Sequence, residues 1–132
     1  MNADRDASSR PVFDLIRQLP CCEVSATGEI DYDASDPALI QRVGENAAQV
    51  MATMHRGTAA IGLLLANAGP EIETRSLSAD VVEALGYLLA ELGDLAAQCD
   101  LIATGCRRAT ADYLPLVLRA GVEPGDGNSP KS

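Results

Sequence analysis

Residues 78–113 read SADVVEALGYLLAELGDLAAQCDLIATGCRRATADY. Within them Val81, Leu85, Leu88, Leu92, Leu95, Cys99, Ile102, Cys106, Ala109 and Tyr113 recur at alternating spacings of four and three. Such a series lays every one of these side chains on a single stripe of one long helix, the stripe that faces a partner helix in a coiled coil or bundle. Ser78 stands where an N-cap belongs, Asp80 complements the positive end of the helix dipole, and Leu77 is placed to staple onto Val82. Asp80, Glu83, Glu91 and Asp94 occupy the first half and Arg107 and Arg108 the last turns, which matches the macrodipole. Pro115 ends or bends the helix near Leu114, and Leu116 to Arg119 add a turn before Gly121.

A companion helix precedes it. Asp36 followed by Pro37 reads as a helix start, the carboxylate accepting an orphan backbone donor and proline taking the first helical position. Ile40, Val43, Ala47, Val50, Met54, Gly57, Ile61 and Leu64 repeat the four-three alternation, and Leu39, Met51 and Leu65 widen the stripe. Gly44, Gly57 and Gly62 each cost about 1 kcal/mol relative to Ala inside a helix, which points to close approach of another backbone or to a kink near Gly57. Asn67-Ala68-Gly69-Pro70 ends the helix, with Gly in a left-handed cap and Pro unable to continue. Glu71 to Leu77 then connects the two.

Towards the N-terminus the pattern shortens. Pro11 opens a short helix with Phe13, Ile16 and either Val12 or Leu19 on one side before Pro20 stops it. This element either caps a bundle end or acts as a docking peptide. Cys22, Val24, Ile30 and Tyr32 alternate with polar residues around Ala26-Thr27-Gly28, so residues 21–35 read as an acidic loop or weak hairpin. Residues 1–10 read as a disordered arm, 11–120 as one helical domain and 121–132 as a disordered tail.

The bulk composition limits the function. The chain has 132 residues, 47% of them hydrophobic but only 3% aromatic, and a net charge of -9. Ala, Leu, Ile and Val suit helix packing and give poor platforms for stacking bases or sugars. The charge has the wrong sign for direct nucleic-acid binding or for an anionic membrane. No apolar run approaches the roughly 20 residues of a membrane span, and no apolar segment follows the polar N-terminus as a secretory signal would, so the expectation is a cytoplasmic protein with reduced thiols.

Candidate chemistry is sparse. Cys99 and Cys106 lie two turns apart on one stripe, roughly 10 Å along the axis, and read as small buried hydrophobes that would meet only copies of themselves across a two-fold. Cys21-Cys22 lacks the spacing of redox or zinc sites, although a zinc site drawing on Cys21, Cys22 and His55 is conceivable. Glu29, Asp31, Asp33 and Asp36 share the composition of a calcium loop but not its ligand order or central Gly. His55, the only histidine, falls off the stripe beside Arg56 and reads as a solvated residue. No nucleophile elbow, phosphate-cradling glycine pattern or helix-borne carboxylate-histidine pair is present, so neither an enzyme nor a cofactor or metal is expected.

The fold expected is all-α: a long antiparallel hairpin over residues 36–67 and 78–114, with arms of roughly 48 and 55 Å, plus the short N-terminal helix. Two helices with stripes this wide leave an apolar strip open, so homodimerisation into a four-helix bundle is the simplest completion; a heterologous partner with a basic or apolar groove and a three-helix monomer are the others. Val81, Leu85, Leu88, Leu92, Leu95, Cys99 and Ile102, with Ile40, Val43, Val50, Met54 and Ile61, form the expected protein interface. Glu29, Asp31, Asp33, Asp36, Asp80, Glu83, Glu91 and Asp94 form an acidic contact face. The function expected is that of an acidic protein-binding module, a regulator, adaptor or inhibitor, one version of which blocks a basic nucleic-acid-binding surface. The alternatives are a thiol or metal sensor built on Cys21, Cys22, Cys99 and Cys106, and a small-molecule-binding bundle.

Overall fold

A computed structural model describes residues 10–74 and 77–113. The disordered arm expected before Arg10, the extra turn expected over Leu116 to Arg119 and the tail lie outside the described residues. In order, the elements are α1 (Pro11–Gln18), a 3-10 turn (Leu19–Cys21), α2 (Pro37–Asn67), α3 (Gly69–Glu73) and α4 (Ala79–Ala109). Among the described residues there is no strand, and α2 and α4 pack closely against each other as the expected antiparallel pair.

The core sits at one end of this pair. Ile40, Val43, Ala47 and Val50 of α2 meet Cys99, Ala103 and Cys106 of α4, and Leu15 and Cys22 join the same cluster. Gly44 sets the distance between the helices, because a Cβ there would stand 2.7 Å from Cys106 Cβ. That contact also sets the register, with residue 44 level with 106. Met51 and His55 flank the same depression as Gly93 to Asp100, as this register requires.

The seam of α4 differs from the stripe expected. Its inward residues are Leu85, Leu89, Leu92, Ala96, Cys99, Ala103 and Cys106, with Ala96, Cys99, Ala103 and Cys106 fully buried. Leu88 and Leu95 are 50% and 41% exposed, and Val81 is 52% exposed. Both series keep the four-three spacing, but backbones that approach closely select Ala and Cys between them and leave the bulkier Leu on the flank.

Several local expectations are corrected as well. Asp36 makes no side-chain cap; the start of α2 rests on Pro37 and on the Ile40 amide donating to Asp36 O at 3.0 Å. Gly69 takes no left-handed cap but opens α3, whose first turn accommodates Pro70. Gly57 and Gly62 meet nothing within 4 Å, so only Gly44 of the three answers to close approach. On α1 the buried residue is Leu15, while Val12, Phe13 and Ile16 stay exposed. α4 ends at Ala109, where Thr110 bonds Cys106 O through both its amide and its hydroxyl. Ser78 does cap α4, accepting from the Val81 amide at 3.4 Å, and Leu77 and Val82 line one apolar depression at the hairpin tip.

The hairpin expected over residues 21–35 reduces to a single antiparallel bridge between Val24 and Ile30. Gly28, at φ +84°, turns the chain between them. Buried Ser35 pins the loop: its hydroxyl donates to Asp31 O at 2.7 Å and accepts from the Glu23 amide at 2.8 Å. Tyr32 then lies over Gly105, where a Cβ would come 2.5 Å from Cζ.

The contrast among glycines gives a direct test by urea unfolding. Gly44→Ala forces α2 and α4 apart and is expected to destabilise by about 1 to 3 kcal/mol. Gly57→Ala and Gly62→Ala, with open space for the methyl group, are expected to stabilise by up to about 1 kcal/mol through helix propensity. A neutral Gly44→Ala would show that the close approach does not set the helix spacing.

Candidate functional site

The end of the hairpin that holds the core is closed. Cys22, Cys99 and Cys106 are buried there, and Cys21 is exposed. Burial raises the Cys106 thiol to about 11, with Cys22 adding to the rise and Arg107 opposing it. Burial likewise raises Cys99 and, with a smaller contribution from Cys21, Cys22. Tyr32 is pushed up by burial and then by Cys106, Cys22 and Glu29. Groups held in their protonated forms are poor nucleophiles and poor ligands. Cys99 and Cys106 thus serve as packing, as the sequence suggested.

The structure does not gather Cys21, Cys22 and His55. His55 is exposed beside Met51, Gly93 and Asp100, while the cysteine pair follows α1. Among the described residues no group of three or more His, Cys, Asp or Glu is placed to hold a metal ion. No helix among them is long and apolar enough to cross a membrane.

The acidic set divides in two. Glu29, Asp31, Asp33 and Asp36 belong to the loop at the closed end, where Asp31 Oδ1 accepts from the Ala34 amide at 3.0 Å. Asp80, Glu83, Glu91 and Asp94 lie exposed on the first half of α4. In the observed register Asp94 falls level with residue 56, about 30 Å along the axis from Asp36. The eight carboxylates do not form one face.

The other half of the hairpin is open. On α2 the heptad stripe 43–50–57–64 begins with Val43 and Val50, at 0% and 1% exposure, and ends with Leu64 at 71%. On α4 the stripe 81–88–95–102–109 is bare at Val81, Leu88 and Leu95, whereas Ile102 and Ala109 pack against the core. α1 and the 22–35 loop supply the cover at one end; among the described residues nothing covers the other. Of the interface residues expected from the sequence, Ile40, Val43, Val50 and Cys99 are spent within the hairpin. Met54, Ile61, Leu85, Leu92 and Ile102 are half-buried, and Val81, Leu88 and Leu95 remain outward.

One feature escaped the sequence reading. An open groove of about 1010 Å³ runs between α1 and α2, lined by Arg10, Pro11, Val12, Phe13, Ile16, Ala48, Gln49, Ala52, Thr53 and Arg56. Arg10 and Arg17 place their guanidinium groups 4.6 and 5.6 Å from the Phe13 ring centroid. The signal available was an amphipathic α1 whose Phe13 and Ile16 alternate with arginines, but only docking against α2 makes a groove of them.

Thiol titration of the native protein is expected to find Cys21 fast and the other three slow, with all four fast in denaturant; more than one fast native thiol would contradict the packing role. Linkage gives a second reading. An unfolded Cys106 loses its proton near 9.0 and the folded one near 11, so the unfolded state binds fewer protons between those values. The contribution is complete below about 9 and lost as pH rises towards about 11. The urea midpoint should fall across that window, and less so in Cys106→Ala.

The chain matches no protein-family model, no curated protein and no solved structure.

Proposed function

We propose that this chain is a protein-binding module that works through helix-helix contacts and pairs with a second copy of itself through the open half of the hairpin, giving a four-helix assembly. One observation carries this reading: the stripes 43–50–57–64 and 81–88–95–102–109 are buried or packed against the core at one end and bare at the other. Among the described residues Leu64, Val81, Leu88 and Leu95 are thus left exposed at core-type positions, and apolar surface of that kind on a small domain is stabilised by another helical surface.

On α4 Glu91 lies between Leu88 and Leu95, with Asp80, Glu83 and Asp94 nearby, so the strip favours an apolar surface that carries basic groups over one that carries acidic groups. The physiological role is that of an adaptor, regulator or inhibitor. Blocking a basic nucleic-acid-binding surface draws less support, because the acidic residues are split between the two ends.

The test is mass in solution under native conditions. The expected species has about twice the 13.8 kDa of the chain. Leu64→Asp and Leu88→Asp are each expected to yield monomer with unchanged helical content, since both side chains are at least half exposed in the single chain. A wild-type monomer at high protein concentration would remove the self-pairing reading.

A further inference from the structure

We propose that the groove between α1 and α2 receives the exposed flank of α4 from a second copy of this chain, a contact made twice about a two-fold axis. The proposal rests on the self-pairing reading and gives the bare flank of the open half a partner surface, the groove beside α1.

The groove combines an apolar floor with a cationic rim. Phe13 and Ile16, at 44% and 64% exposure, face Ala48 and Ala52, and Arg10 and Arg56 stand beside them. Among the described residues that line it none is acidic, in a chain whose net charge is -9. The neighbouring depression around Cys21 differs, since Arg17 and Arg42 share it with Asp14 and Asp36. A basic occupant would be repelled from the groove, and a purely apolar one would strip water from the arginines without replacing it.

The flank of α4 carries the complementary pattern. Glu91 follows Leu88 by three residues and precedes Leu95 by four, so on the helix surface it lies between them. Asp80 and Asp94 extend the same charge to either side. Two leucines with a carboxylate between them match an apolar floor edged by arginines. In a chain of net charge -9 the groove's arginines also reduce the repulsion that an acidic flank would otherwise meet.

The register allows the exchange. With residue 44 level with 106, Leu95 stands level with residue 55, where the groove segment Ala48–Arg56 ends, and Leu88 and Val81 continue towards the tip. Groove and flank therefore occupy adjoining lengths of one hairpin. A two-fold axis crossing near that level sets each flank at the height of the other copy's groove.

Charge exchange on the full chain tests the pairing, read by sedimentation equilibrium with helical content monitored in parallel. Arg56→Glu and Glu91→Arg are each expected to weaken the dimer by about tenfold or more, the double variant to recover most of the loss, and added salt to weaken the wild type. A wild-type monomer would overturn the self-pairing reading and this inference with it. A dimer indifferent to both single changes would overturn this inference alone and place the contact on another face. Two weakened single variants without recovery in the double would overturn the direct pairing of these side chains.

Discussion

Everything in this fold depends on how closely α2 approaches α4 at Gly44. With no side chain at that position, the Cys106 Cβ can pack against the backbone of α2, and the helices settle into a register that buries Ala47, Val50, Cys99 and Ala103 between them. Small residues there bury little area each, but they bring two backbones together and exclude water from that part of the contact. Gly105 repeats the device on the outer side of α4, giving the Tyr32 ring a flat bed and tying the acidic loop to the pair.

Closure at that end makes the asymmetry of the molecule. α1 and the loop contribute Leu15, Leu19, Cys22, Ile30 and Tyr32 to the core, and none of them reaches beyond the middle of the hairpin. Past that point the same stripes continue with Leu64, Leu88 and Val81, and among the described residues only the short α3 at the tip stands beside the helices. The functional proposals follow from this division. A closed end with three buried thiols supplies stability, and an open end with exposed leucines supplies a surface.

Much of this was legible in the residues. Pro37 and Ser78 marked the helix starts, the 3.6-residue periodicity marked the helices, and the burial of Cys99 and Cys106 followed from their place in the repeat. The facing edge of α4 was not legible, because Leu88–Leu95 and Leu89–Ala96 satisfy the same spacing and hydrophobicity favours the bulkier pair. Distance between backbones decided for alanine. Likewise, nothing in the spacing of Gly44, Gly57 and Gly62 distinguishes the glycine under Cys106 from two that face open space.

The sequence by itself determined the helices, their antiparallel order, their acidic surface and the surplus of apolar residues over what two helices can bury, since all of these are properties of local repeat and composition. Only the tertiary structure decided where the surplus lies, that the carboxylates fall into two separate groups, and that Arg10, Phe13, Ile16 and Arg56 line one groove. These are relations between residues far apart in the chain. They depend on register and crossing distance, which packing sets and periodicity leaves open.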